Sequence, residues 1–283
     1  MSSPLEFAVP GGTIRALSHD TGGDRCVLAL HGWLDNAASF TPLAPMLDDS
    51  RVVAMDLAGH GHSDHRPPGA SYHLVDYVID AFEVVERLGW EQFTLMGHSL
   101  GAGISCLFAA AFPERVEALV LIDGIGPLSG HEDEAANRLR RAIVARGGQA
   151  RERGPHPSVD SAVAARLRAT RMAPASARLI VERNLRAVDG GFAWRTDRRL
   201  THPSPLYLTE SQVLAFLAAI ECPVLLVHAE EGVIARRPST RARMDAFAAL
   251  KVAAVAGQHH VHMDDPAPVA AAVNEFLKAC RSQ

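Results

Sequence analysis

The chain has 283 residues, enough for one large α/β domain or two modest ones. Apolar residues make up 48% and charged residues 21%, the balance of a globular protein with a substantial core. The formal net charge of −4 gives no reason to expect nucleic acid or an acidic membrane surface as partner.

The first residues, Met1-Ser2-Ser3-Pro4-Leu5-Glu6, lack a basic segment followed by an apolar one, so no signal peptide is expected. No apolar stretch approaches membrane-spanning length. Cys26, Cys106, Cys222 and Cys280 show neither paired nor metal-like spacing, and a reduced, cytoplasmic setting is the expectation. Residues 5–9 and 13–18, joined by Pro10-Gly11-Gly12, read as an opening hairpin. Short apolar runs at 26–30, 52–57, 93–96, 116–122, 224–227 and 251–255 read as further strands, about eight in all. Helices fit between them at 39–47, 74–88, 100–111, 239–250 and 268–280. This alternation predicts the α/β class, a mainly parallel sheet flanked by helices.

One interval breaks the rhythm. From about 126 to 220 there is no convincing strand, only Arg- and Ala-rich helical stretches broken by Gly147-Gly148, Gly154-Pro155, Pro174 and Pro203-Ser204-Pro205. The expected division is a core of residues 1–125 and 206–283 with a helical cap, 126–205, inserted between the sixth and seventh strands. Such a cap sits over the strand C-termini, where open α/β sheets bind ligands. A last helix near 208–220 returns to the main body. Arg138, Arg140, Arg141, Arg146, Arg151 and Arg153 lie beside Glu132, Asp133, Glu134 and Glu152, which favours a solvated helix face over an anion site.

The chemistry centres on Gly97-His98-Ser99-Leu100-Gly101, set between the apolar run 92–96 and the small-residue stretch 102–107. Gly-x-Ser-x-Gly on a strand-to-helix turn is the nucleophile-elbow pattern. Bulk must be absent two residues either side of the serine so that strand and helix can approach. An active serine needs a base. Of 14 histidines, those on the loop after the last strand hang over the same sheet edge. His259 is the expected base, His260 the alternative, and His262 a buttress of the loop. No helical His-x-x-x-His or carboxylate-bearing motif supports a metal site at His259 and His262. The base in turn needs a carboxylate to hold its tautomer. Asp123, ending the strand beside the nucleophile strand, competes with Glu230 and Glu231. The alternative without chemistry is that Asp123 only ends the strand or caps a helix.

Two backbone N–H groups must face the developing oxyanion, and losing one typically costs about 2.7–4 kcal/mol of transition-state stabilisation. Leu100, at the helix start, supplies one. Trp33, in the loop His31-Gly32-Trp33-Leu34-Asp35-Asn36, supplies the other. The glycine-rich turn from Asp56 to Asp64 lacks the Gly-Lys-Ser/Thr ending of a phosphate loop and is expected to tie loops together through Asp56.

His31-Gly32-Trp33, Asp56-x-x-Gly59-His60-Gly61-x-Ser63, Gly97-His98-Ser99-Leu100-Gly101 and His259, seven before Pro266, together resemble the α/β-hydrolase superfamily, in order and across nearly the whole chain. More narrowly, His31-Gly32-Trp33-Leu34-Asp35-Asn36-Ala37 and His260-Val261-His262-Met263 look like the serine hydrolase-like proteins, relatives of epoxide hydrolases and haloalkane dehalogenases. The resemblance implies the α/β-hydrolase fold, a serine nucleophile, a helical cap and no cofactor. In that superfamily the acid most often follows the later strand in a Gly-x-x-Asp pattern. Gly232 stands at that place here, and some relatives carry the acid earlier, so Asp123 is preferred. Dehalogenases and epoxide hydrolases use an aspartate nucleophile, and Ser99 in its place disfavours their reactions. The expectation is a hydrolase acting on a small to medium carboxylic ester, a small-molecule acyl substrate. A thioester, lactone or carbon–carbon bond is the alternative for the same machinery. A non-catalytic receptor is the alternative of another class.

Overall fold

A computed structural model describes residues 2–147 and 154–281. Gly148, Arg151, Glu152 and Arg153 lie outside the described residues. The chain opens with the antiparallel hairpin β1 (Ser3–Val9) and β2 (Gly12–Asp20). Next come β3 (Arg25–Leu30), β4 (Ser50–Met55), α1 (Leu74–Leu88), β5 (Phe93–His98), α2 (Leu100–Ala111) and β6 (Val116–Ile122). Between β6 and the next strand of the main sheet stand α3 (Ala135–Gly147), α4 (Val159–Ala169), α5 (Pro174–Asn184), a small hairpin of β7 (Leu185–Val188) and β8 (Gly191–Trp194), and α6 (Glu210–Ala218). The chain then adds β9 (Val224–Ala229), α7 (Thr240–Asp245), β10 (Leu250–Val255), α8 (Val261–Asp264) and α9 (Pro266–Cys280).

The eight-stranded sheet runs in the order β1-β2-β4-β3-β5-β6-β9-β10. β2 meets β4 antiparallel, and every pair from β4 to β10 is parallel. Side chains alternate between two cores, as a strand period of two requires. Leu28, Leu30, Met55, Leu95, Leu119 and Leu121 belong to the core shared with α1 and α2. Val27, Ala29, Val52, Ala54, Met96 and Val120 belong to the core shared with α9. Both faces are covered, so the central strands read as continuous apolar runs. Each fully buried Leu, Val or Phe contributes about 1.5–3 kcal/mol relative to exposure.

Three expectations change. Residues 39–47 form two short 3-10 turns, Ala37–Phe40 and Ala44–Met46, because Pro42 and Pro45 remove donors that an α-helix would need. The helix placed at 239–250 is shorter, Thr240–Asp245, since Leu250 already pairs with Val224 in the sheet. The interval thought to hold no strand contains the β7–β8 hairpin, whose pairing Val188↔Gly191 leaves Asp189-Gly190 as a two-residue turn with Gly190 at φ 79. Asp-Gly between alternating residues is a hairpin signal in its own right.

The segment between β6 and β9 has its own small core of Ala162, Val163, Ala177, Val181 and Leu185. Its two stems meet in a bridge between Ser129 and Leu208. Arg243 of α7, buried, donates to the carbonyls of Ile125 and Pro127 at 2.7 Å and to both oxygens of Glu210 at 2.8 and 2.7 Å. Further along, Asn36 Nδ2 donates to Ile180 O at 2.8 Å and the Trp33 indole to Leu200 O at 3.1 Å. Arg183 pairs with the buried Asp56 at 2.6 Å. Among the described residues no helix is long and apolar enough to cross a membrane.

Candidate active site

Ser99 occupies the turn between β5 and α2 with φ 53 and ψ −108, a strained backbone for a residue bearing a side chain. Only glycine fits beside it. A Cβ at Gly97 would lie 2.4 Å from Gly101 O, and one at Gly101 would lie 1.9 Å from Leu30 O. The sheet register sets the neighbours. His98 pairs with Ile122, so the residue after each strand, Ser99 and Asp123, emerges at the same edge.

The structure brings Ser99, His259 and Asp123 together. His259 Nε2 stands 2.9 Å from Ser99 Oγ, and its Nδ1 stands 2.5 Å from Asp123 Oδ2. That oxygen also accepts the Val233 N–H at 2.8 Å, which fixes it as an acceptor. The proton between His259 and Asp123 therefore belongs to Nδ1, leaving the Nε2 lone pair for the serine hydroxyl. Asp123 is fully buried, whereas His259 is partly open to solvent. A Cβ at Gly232 would sit 2.2 Å from Asp123 Oδ1. Glu230 and Glu231 are exposed, and the Glu231 carboxylate accepts from Gln258 instead.

The other sequence candidates separate. His260 turns inward, its Nε2 3.1 Å from Asp35 Oδ2. His262 is buried against Phe40 and His98. Leu100 begins α2, and Trp33 follows Gly32 in the loop after β3. The bonds that shape these turns run from Asp35 N–H to Gly32 O and from Gly103 N–H to Ser99 O, leaving out the N–H groups of Trp33 and Leu100. His31 anchors the same loop. Its Nε2 accepts the Leu57 N–H at 3.0 Å, so Nδ1–H donates to Gly32 O at 2.7 Å. Burial keeps His31 below the ordinary histidine range, hence neutral as those bonds require. Asp56 joins three segments. It accepts the N–H groups of Ala37 and His62 at 2.7 and 2.9 Å and the Arg183 guanidinium.

One group was not anticipated from the sequence. Asp35, His98 and His260, all buried, are the one set among the described residues whose metal-ligating atoms converge within 4.8 Å. Burial alone would raise the Asp35 carboxyl, but His260 and Arg166 outweigh it and hold the group well below the carboxylate range. Its oxygens already accept from His260 and Arg166, whereas the Nδ1 atoms of His98 and His260 are buried without a hydrogen-bond partner among the described residues. The signal available was His98 itself, a polar residue inside an otherwise apolar strand end.

The model of a family described as alpha/beta hydrolase fold matches residues 26–266. A serine hydrolase-like protein of Danio rerio is 33% identical, with 98% of this chain and 89% of that protein covered. Serine hydrolase-like protein 2 of Homo sapiens is 32% identical, with 98% and 94% covered. Among solved structures, a hypothetical protein from Pseudomonas aeruginosa PAO1 superposes with a TM-score of 0.92 at 44% identity, covering 99% of each chain. The thioesterase domain from the curacin biosynthetic pathway superposes with a TM-score of 0.85 at 25% identity, covering 96% and 98%.

Proposed function

The chain belongs to the α/β-hydrolase fold family, and from that premise we propose that it is a serine hydrolase cleaving a small to medium carboxylic ester. The observation that carries this reading is the bridging position of His259, 2.9 Å from Ser99 Oγ and 2.5 Å from Asp123 Oδ2. His259 Nε2 takes the hydroxyl proton as Oγ attacks the carbonyl carbon. The N–H groups of Trp33 and Leu100 hold the oxyanion. Collapse breaks the ester C–O bond, and the leaving alcohol takes the proton from His259. Water, deprotonated by the same nitrogen, then cleaves the acyl-enzyme and returns Ser99. Asp123 holds the His259 tautomer and stabilises the imidazolium formed at each transfer.

Residues 126–205 act in this reading as a cap over a core of 1–125 and 206–283, and set which acyl group enters. The four free cysteines fit a reducing, cytoplasmic setting. A thioester substrate is the second reading, favoured by the likeness to a thioesterase domain; only the leaving group differs. The test is a fluorophosphonate probe alongside a panel of short-chain esters, acyl-thioesters and lactones. Labelling at Ser99, with hydrolysis abolished in a folded Ser99→Ala protein, is the expected outcome. Ligand binding without labelling would instead identify a receptor, and full activity in Ser99→Ala would remove the serine from the chemistry.

A further inference from the structure

Beneath the reactive edge lies a buried polar cluster that the hydrolytic steps do not use. Asp35 is 1% exposed and sits two residues after Trp33. Its Oδ2 accepts from His260 Nε2 at 3.1 Å, and its Oδ1 accepts from Arg166 of α4. His98, immediately before Ser99, lies between Asp35 and the loop that carries His259. Its Nδ1 is 3.7 Å from Asp35 Oδ2, too far for a hydrogen bond. Its Nε2 is 2.9 Å from the backbone carbonyl oxygen of His259. A carbonyl only accepts, so Nε2–H donates. Burial pushes His98 down to about 4, and the neutral ring has that one proton to give. Gly32 closes the cluster, because a Cβ there would lie 2.9 Å from both Asp35 Oδ2 and His98 Nδ1.

We propose that His98 and Asp35 are positioning residues for proton transfer. His98 holds the backbone of His259, and Asp35 fastens His260 and the insertion helix α4 to the same point. The proposal rests on the reading of Ser99 and His259 as nucleophile and base. The mechanical argument is short. Two ring bonds, to Ser99 and Asp123, fix the far end of the His259 side chain. Its near end sits on the irregular loop after β10, which turns at Gly257 with φ 129. A third bond at the His259 carbonyl fixes that end too, so the ring cannot slide with its loop. Misplacing a reacting group by about 1 Å costs about a hundredfold in rate.

His98→Leu removes the donor while keeping bulk, and His98→Gln returns an N–H. In His98→Leu, kcat for an ester that the parent protein hydrolyses is expected to fall about ten- to a hundredfold with KM nearly unchanged. Rates are normalised by fluorophosphonate titration of active sites. The downfield proton resonance of His259 Nδ1–H is expected to shift or broaden in the same variant. His98→Gln should recover most of both losses, and Asp35→Asn should lower kcat as His98→Leu does. Unchanged kcat and resonance in His98→Leu would overturn the proposal. Equal losses in His98→Gln, with a lower Tm, would also overturn it by reducing the ring to packing. Unchanged kcat in Asp35→Asn would remove Asp35 from it. If the parent protein neither labels nor hydrolyses, the nucleophile reading fails instead, and the His259 resonance, which needs no turnover, still decides whether His98 holds the ring. One equivalent of zinc in the purified protein, lost in His98→Leu, would replace the hydrogen-bond network by a metal site.

Discussion

Gly232 and Asp123 share one small volume. The carboxylate enters it from the end of β6, and the segment after β9 contributes only a missing side chain and the Val233 N–H. Asp123→Asn is therefore expected to lower kcat by about 10³–10⁴-fold, because an amide stabilises the wrong His259 tautomer. Glu230→Gln and Glu231→Gln should leave kcat within about twofold, since exposed carboxylates on the surface couple weakly to the centre. Near-full turnover in Asp123→Asn, measured on the same ester, would reassign the acid. Ser99, His259 and Asp123 were legible because each follows a recognisable strand, and strand ends at one sheet edge are close in space whatever the loops do. Asp35 and His98 were not. Their partners come from α4 and the His259 loop, far away in sequence, and the one local sign, a histidine ending an apolar strand, does not say what satisfies it in the folded chain.

At the level of elements, the central strands and the helices at Leu74–Leu88 and Leu100–Ala111 follow from apolar periodicity, and their boundaries from local chemistry. α1 starts where Asp76 Oδ2 accepts the His73 N–H, and it stops at Gly89 with φ 67. The insertion was harder to read because its own core is small and its helices are joined to the rest of the chain by ionic and polar contacts between residues far apart in sequence. Arg183 of α5 is the main such contact, two nitrogens on the carboxylate of a fully buried Asp56. Arg183→Met leaves that charge without its cation, and a loss of about 3 kcal/mol is expected. Urea unfolding would read it as a lower midpoint. A shift worth less than about 0.5 kcal/mol would mean that the two backbone donors to Asp56 suffice alone.

Over the whole molecule, buried histidines set the response to acid. His31, His60, His98 and His262 are each held below their ordinary 6.5 by burial, His60 to about 3 and His98 to about 4. Between pH 6.5 and about 4 the unfolded chain binds protons at His60 and His98 that the folded chain refuses, and His31 and His262 act in the same direction, so stability falls on acidification. The slope is about 1.4 kcal/mol per pH unit for each of His60 and His98 across that window. Asp80, raised to about 6 chiefly by burial, opposes this between there and its ordinary 3.8, because the folded state takes that proton first. Four rings outweigh one carboxyl. Scanning calorimetry should show a level Tm above pH 6.5 and a steep decline below it. A Tm unchanged down to about pH 4 would mean that these rings already carry protons in the folded state.

The strand order also sets a timing. Ser99, Asp123, Trp33 and Leu100 all lie in the first half of the chain, before the insertion, just beyond the ends of strands that pair with their neighbours in the sheet. His259 comes from the far side of β10, an edge strand whose sole sheet partner is β9. If His259 is the base, an emerging or half-assembled chain carries an inert hydroxyl, because nothing accepts its proton until that last strand docks. Reactivity is then a property of the completed molecule, and fragments made along the way cannot acylate themselves.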